Sequence, residues 1–394
     1  MQPITCPGFK AAGTHAGLKK NGEKDLGLIF SDVPAAAAGV FTTNRVKAAP
    51  VLLDMERIKS GTARAIIANS RNANCCTGAR GMQDALAMGK AASAALGIDE
   101  KEVMVASTGV IGTPLPVGKI VTAAPGLAAA LSSEGFMDCA RAMMTTDTVP
   151  KLVHRRGEHA GKAFNVVGLA KGSGMIAPNM ATMLCFVCTD IGADPGSLKT
   201  MLVTSVNNSL NTIIIDGDTS TNDTTLILAN GLSGISLETP ALKASFQRVL
   251  DDVLITLARA LVKDGEGATK VVQIDVRGAV TSADARTVAE TVANSPLVKT
   301  AVFGQDANWG RIAAAAGRAG IPLDPDRLDI FFNDVQIVSQ GLSRGDRAEA
   351  AATTVLKLPE FSITIDLNGG PGEASVLTCD FSIDYVKINA DYRS

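Results

Sequence analysis

The chain has 394 residues, of which 46% are hydrophobic and 19% charged, and its formal net charge is −2. That composition supplies a sizeable core and is unlike that of a disordered chain, and the length allows two domains or one large α/β unit with an added lobe. The near-neutral balance, without a long basic block, argues against nucleic acid as the main partner and suits a small charged substrate held by a few placed side chains.

Aromatic residues make up only 4% while glycines number 38, so the core is expected from Ala, Val, Leu, Ile and Met, with many tight turns. The first stretch, MQPITCPGFKAAGTHAG, has no basic segment leading into an apolar one, so no secretory signal is expected. No apolar run of about 18 residues marks a membrane span. Seven cysteines form no disulfide-framework spacing, and a reducing cytoplasm is expected.

In chain order, strands are predicted at 65–68 and 103–107, with a helix at 81–96 between them. Strands follow at 166–170 and 183–189, then a helix at 195–210 and strands at 213–216 and 225–229. A long helix at 240–263 opens on Pro240, which suits a first turn, and stops at Asp264-Gly265. A strand at 271–276, helices at 283–294 and 346–356 and a strand at 361–367 complete the pattern. The alternation favours α/β or α+β. Clustered Gly, Ala and Ser suggest a lobe boundary near 276–294.

The run Lys171-Gly-Ser-Gly-Met-Ile-Ala-Pro-Asn-Met-Ala-Thr-Met-Leu184 joins flexible glycines and a proline to a threonine that opens an apolar run. Thr182 reads either as a local capping residue or as a nucleophile. If Ala181-Thr182 breaks, Thr182 gains an α-amino group beside its own Oγ, placing nucleophile and base on one residue. The Thr108-Gly109 turn after the strand at 103–107 is an ordinary turn or a donor cluster for an oxyanion. Glu266, between two glycines, is a solvated carboxylate or a partner for a cationic substrate group. The Asp216–Asp223 run is rich in oxygen ligands, and hydrogen bonding to its own backbone explains it better than a cation does. Cys185 and Cys188 lie in a strand-like run and read as core thiols. Cys75 and Cys76 are adjacent and do not bridge readily. His154 and His159 flank Arg155 and Arg156 like a solvated segment, and no nucleophile-elbow motif accompanies the three histidines.

Taken in order, these stretches resemble the ornithine acetyltransferase (glutamate N-acetyltransferase) family of arginine biosynthesis. The resemblance includes Gly39-Val-Phe-Thr-Thr-Asn-Arg-Val-Lys-Ala-Ala-Pro-Val51, Asn69-Ser-Arg-Asn-Ala-Asn74, Ser107-Thr-Gly-Val-Ile-Gly112 and Thr145-Thr-Asp147. It continues through 171–184, 216–223, 264–270, Asn308-Trp-Gly-Arg311 and the terminal Tyr385–Ser394. It implies a four-layer αββα core, shared with self-processing aminopeptidases, and a smaller C-terminal lobe. It also implies self-cleavage at Ala181-Thr182 into an α chain (1–181) and a β chain (182–394), both contributing to one core. Thr182 is then the nucleophile, and Thr108 and Gly109 form the oxyanion hole. Thr145, Lys171, Thr182, Glu266, Asn389 and Ser394 contact substrate. The implied reaction moves acetyl from N2-acetylornithine to glutamate through an acetyl-threonine, with no metal or cofactor. Use of acetyl-CoA stays open, and the implied assembly is an α2β2 heterotetramer. Cys75-Cys76 departs from the usual Ala-Cys, Leu377-Thr-Cys-Asp-Phe-Ser382 from the usual Trp-Gly-Cys-Asp-Leu-Thr, and Ser394 replaces a common Thr while keeping a hydroxyl. The competing readings are a self-processing amidohydrolase of the same fold and a non-catalytic amino-acid-binding protein.

Overall fold

The computed structural model describes residues 4–159, 161–177 and 183–391. The elements begin with β1 (Phe9–Thr14), β2 (Leu26–Phe41), α1 (Ala49–Arg57), β3 (Thr62–Asn69), α2 (Gly78–Leu96) and β4 (Val103–Ser107). Next come α3 (Val117–Ala129), α4 (Phe136–Met143), β5 (Lys151–His159), β6 (Lys162–Lys171), β7 (Leu184–Thr189), α5 (Pro195–Asn207), β8 (Ile213–Ile214), β9 (Thr224–Ala229) and α6 (Pro240–Lys263). The remainder is β10 (Val271–Ala279), α7 (Ser282–Ala293), α8 (Pro296–Phe303), α9 (Trp309–Gly317), β11 (Asp329–Phe332), β12 (Val335–Ser339), β13 (Leu342–Ser343), α10 (Asp346–Leu356), β14 (Glu360–Asp366), β15 (Gly372–Cys379) and α11 (Ile383–Ala390).

The chain divides into two compact units, the first made of 1–211 and 218–261 and the second of 212–217 and 262–394. The boundary expected near 276–294 is therefore corrected. That segment is β10 and α7, inside the second unit, and its small residues pack: Ala279, Ala285, Ala289 and Ala293 belong to one buried cluster.

In the first unit the strand order is β4-β3-β2-β9-β7-β6-β5, with β1 on β2. The long strand β2 is shared. Its first half pairs β1 and β3, its register breaks between Phe30 and Ala35, and Ala36–Phe41 pair β9. A bulge of this kind bends a strand and re-aims its pairing edge. One apolar cluster holds Ile29 and Ile66 from one half of the sheet and Leu169, Phe186 and Leu226 from the other. The two halves thus share one core, to which Phe136 and Met143 of α4 also belong. The opposite face of the first half, with Leu28, Ile67 and Val105, is covered by Met88 of α2 and Ile120 of α3. On the second half, a Cβ on Gly168 of β6 would lie 2.6 Å from Val253 of α6, so helix and strand meet where only glycine fits. The result is helix, sheet, sheet, helix: the expected four layers.

Strands from both sides of residues 178–182 alternate in this sheet. β9 lies between β2 and β7, and β7 pairs β6 through Val166–Lys171 against Thr189–Leu184. Strand β5 is an edge strand carrying His154, Arg155 and Arg156, where a solvated segment was expected. Charged side chains on an exposed edge discourage further pairing and hide the strand's alternation.

The second unit has the sheet order β13-β12-β11-β14-β10-β15-β8. Val272, Ile274 and Val276 of β10 face the buried cluster with residues of α7, α8, α9 and α10, whereas Gln273, Asp275 and Arg277 take the other face. The strand expected at 213–216 is only the two-residue β8, and the helix expected at 195–210 ends at Asn207. Replacing Phe186, fully buried in the core shared by the halves of the first sheet, by Ala is expected to cost about 3–5 kcal/mol. A lowered denaturant midpoint is the measurement.

Candidate active site

Parallel strands β3 and β4 end side by side, with Asn69 opposite Ser107. The Ser107 hydroxyl donates to Asn69 Oδ1 at 2.6 Å, and the Asn69 amide donates to the carbonyls of Ser70 and Asn72. The chain leaving β4 is zipped to the chain leaving β3. Thr108 N–H donates to Asn69 O at 3.0 Å, Val110 N–H to Arg71 O at 3.1 Å and Gly112 N–H to Cys75 O at 3.0 Å. Gly109 has φ +134°, and a Cβ there would lie 2.1 Å from the Arg71 carbonyl carbon. Only glycine fits that position.

This pattern refines the donor pair expected from the sequence. Thr108 N–H is committed to Asn69, so the backbone amides of the two residues do not act together. The donors left over are the Thr108 hydroxyl and Gly109 N–H, which has no acceptor among the described residues. Thr108 Oγ1 accepts from Lys171 Nζ at 3.3 Å, which orients the hydroxyl proton away from the lysine.

Lys171 ends β6 and is buried. Beneath it lies Asp147, a residue that sequence reasoning quoted in a motif without giving it a role. Asp147 Oδ1 accepts from Lys151 Nζ at 2.7 Å and from Gly172 N–H at 2.7 Å. Its Oδ2 accepts from Thr145 N–H at 3.0 Å and lies 3.9 Å from Lys171 Nζ. One carboxylate therefore fixes two candidate substrate residues, Thr145 and Lys171, and the first glycine of the 171–184 run. Burial alone would raise its pKa, but Lys171 and Lys151, with the bonds from Lys151 and Thr145 N–H, bring it down to about 2.

Asp223 is also buried. Its Oδ1 accepts from Met183 N–H at 2.9 Å, and its Oδ2 has no partner within hydrogen-bond geometry among the described residues, the Ser220 and Thr42 hydroxyls being near neighbours. Burial pushes this carboxyl well above the usual carboxylate range, against the pull of Met183 N–H, Ser220, Lys171 and Thr42. Neighbouring Asn222 donates to the carbonyls of Ala73 and Ser107 at 2.7 and 2.8 Å. Within the run, Asn222 N–H donates to Ser220 Oγ at 3.0 Å, a local turn of the expected kind, while the Asn222 amide and the Asp223 carboxylate bind the backbone of other segments instead of the run's own. Cys185 and Cys188 are buried as expected, and burial lifts the Cys185 thiol to about 12.

In the second unit, Glu266 is 7% exposed, on the turn after α6. Its Oε2 accepts from Asn389 Nδ2 at 2.8 Å, so the structure brings these two sequence-predicted residues together. Asp380 holds the turn from behind, accepting from Thr269 N–H at 2.8 Å and Lys270 N–H at 2.9 Å, while Ser382 Oγ donates to Gly267 O at 2.6 Å. Ala181, Thr182 and Ser394 lie outside the described residues.

The family model for the ArgJ family matches residues 10–394. The chain belongs to the ArgJ family. The "Arginine biosynthesis bifunctional protein ArgJ" of Geobacter sulfurreducens is 53% identical to it, with 98% of this chain and 99% of the relative covered. The protein of the same name from Syntrophotalea carbinolica is 51% identical, with 98% and 99% covered. Among solved structures, the Arginine biosynthesis bifunctional protein argJ of Bacillus halodurans is 39% identical with a TM-score of 0.50, covering 52% of this chain and 97% of its own. Membership of the ArgJ family makes the chain an acyltransferase and fits the four-layer core seen in the first unit.

Asp147 generates a pH prediction. Its folded value lies below the ordinary 3.8, so its contribution is complete above that value and disappears as pH falls towards about 2. Asp147→Asn is expected to lower stability near neutral pH by at least about 2 kcal/mol and to flatten the loss between about pH 4 and 2. Denaturant midpoints across that range check both effects.

Proposed function

We propose that the chain cuts itself at Ala181-Thr182 and then transfers acetyl from N2-acetylornithine to glutamate, in the cytoplasm, as a step of cyclic arginine biosynthesis. The observation that carries this reading is the donor pair of Thr108 Oγ1–H and Gly109 N–H, set beside buried Lys171 and the Asp223-held amide of Met183. In the cut, Thr182 Oγ attacks the Ala181 carbonyl, the amide becomes an ester, and water hydrolyses it. The length relation to the solved Bacillus halodurans chain supports a cut, since that chain is almost wholly matched by about half of this one.

In the mature protein, the Thr182 amine accepts the Oγ proton, directly or through a water. An unperturbed α-amino pKa of about 7.7–8.0 suits a base at neutral pH. Oγ attacks the acetyl carbonyl, and the negative oxygen is met by Thr108 Oγ1–H and Gly109 N–H, each such donor being worth about 3–4 kcal/mol. Lys171 adds a fixed positive charge next to Thr108. The tetrahedral centre collapses to an acetyl-Thr182 ester, and the proton held by the amine goes to the departing ornithine nitrogen. Glutamate's amine then attacks the ester and N-acetylglutamate leaves. One amide is exchanged for another through an ester, so the balance calls for no metal or redox cofactor. Glu266, held by Asn389, is assigned the ornithine side-chain ammonium. Ser394 and Asn389 are assigned polar ends of the substrate, and Thr145 and Lys171 the groups nearer the reacting carbonyl. Acetyl-CoA is proposed as a second acetyl donor, and the processed chains as an α2β2 heterotetramer.

Thr182→Ala is expected to leave one uncut chain on a denaturing gel and to lower transfer by several orders of magnitude. An uncut wild-type protein with full activity would defeat the reading, and release of acetate at the same rate without glutamate would identify a hydrolase instead. Glu266→Ala is expected to reduce kcat/KM for N-acetylornithine by about 10- to 100-fold, while formation of the acyl-enzyme from a simple ester changes far less. Parallel kinetics with the two donors provide the comparison.

A further inference from the structure

Behind the Thr108–Gly112 loop lies a pair of thiols that the acetyl-transfer chemistry does not use. Cys75 Sγ and Cys76 Sγ are 3.7 Å apart. Neighbouring side chains on an extended backbone point to opposite faces. Here Cys76 takes φ +58°, and Arg71 and Asn74 are also left-handed at +75° and +46°. Such angles cost energy for non-glycine residues and persist only where the surroundings impose them. The surroundings are rigid: Asn74 Nδ2 donates to Gly81 O, Asn222 Nδ2 to Ala73 O, and Gly112 N–H to Cys75 O. Cys76 is the only exposed cysteine of the chain's seven, and Cys75 is buried against Val51 and Ala73, with Ile111 of the donor loop packed on them.

Three kinds of ligand chemistry suit two adjacent thiols. A disulfide between neighbours would join Cα atoms about 3.8 Å apart, below the usual range of about 4.4–6.8 Å. A divalent soft cation needs both sulfurs as thiolates and further ligands. Burial raises the Cys75 thiol above its ordinary value, and no group of three or more metal-binding side chains occurs among the described residues. Trivalent arsenic needs neither a third protein ligand nor prior loss of the thiol protons. We propose that Cys75 and Cys76 form a vicinal dithiol that captures trivalent organoarsenic compounds, and that capture inhibits the enzyme through the Thr108–Gly112 loop.

The step balances without oxidation. An arsenoxide R–As=O gives up its oxygen, two As–S bonds form, both thiol protons leave with that oxygen as water, and arsenic stays trivalent. Exposed Cys76 makes the first bond and Cys75 makes the second, so that the six backbone and side-chain atoms between the sulfurs close into a ring with arsenic. Because Gly112 N–H is bonded to Cys75 O, and Val110 and Ala73 are bonded in the same ladder, a shift at Cys75 moves the loop that presents Gly109 N–H. The inhibitory half of the proposal rests on the acetyl transfer proposed above, whereas the capture does not.

The test uses the full-length reduced protein with phenylarsine oxide, read by intact mass and by N-acetylornithine:glutamate transfer. One phenylarsenic adduct per chain is expected, with transfer reduced at least about tenfold, the scale of losing part of one oxyanion donor. The dithiol 2,3-dimercaptopropanol should restore both mass and activity, and excess 2-mercaptoethanol should not. Cys76→Ser and Cys75→Ser should each abolish the stable adduct, and Cys76→Ser, a surface change, should keep basal transfer. Absence of the adduct, an adduct retained in both serine variants, or an adducted enzyme with undiminished transfer overturns the proposal. Because mass reads capture without turnover, failure of the acetyl-transfer reading would be visible separately as an inactive, uninhibited but still arsenic-binding protein.

Discussion

Asp147 and its two lysines set the geometry on which the rest of the first unit's site depends. The carboxylate is removed from water, yet four donors or cations converge on it: Lys151, Gly172 N–H, Thr145 N–H and Lys171. Burying one charge without partners would be prohibitive, and burying it among these is tolerable because every side of the carboxylate is occupied. The arrangement ties the chain after α4 to the end of β6 and carries Lys171 to the Thr108 hydroxyl. In the proposed reaction a positive charge is thereby held where the acetyl oxygen would become negative, with little reorganisation needed.

The second unit repeats the logic with different residues. Asp380 anchors the backbone after Glu266, and Ser382 fixes Gly267 from the start of α11, the helix that also brings Asn389 to the glutamate. In both units a buried aspartate that touches no proposed substrate atom positions the residues that do. Such supporting groups lock the rotamers of binding side chains more tightly than loop packing alone.

Elements with strong periodicity were legible in the sequence. The strand at 103–107 and the helices at 240–263 and 346–356 have the same limits in the structure. Strand β2 was not legible, because Asp32, Pro34 and a run of alanines give it little intrinsic strand character. Pairing on both edges overrides that preference. The Thr108-Gly109 turn could be placed after a strand from sequence alone. Which of its donors is available could not, since the acceptor that occupies Thr108 N–H belongs to Asn69 on another strand. Asp147 stood at the end of a recognised motif, but its role depends on Lys151, Lys171 and Gly172 meeting in space. Glu266 was legible as a carboxylate on a glycine turn, and its partner Asn389 only through the family resemblance.

The interleaving of β9 between β2 and β7 has a further meaning for a chain cut at Ala181-Thr182. Neither product owns the first sheet: the earlier segment supplies β1–β6 and the later one β7 and β9, joined by the β2·β9 and β6·β7 ladders. Cleavage would leave the fold in place, since those ladders and the apolar cluster shared by the sheet halves do not run through the broken bond. Once unfolded, however, the two pieces would have to find each other by diffusion. Assembly that is first order for the precursor would become second order for the mature protein, so its resistance to irreversible denaturation would be governed by the rate of unfolding and by chain concentration.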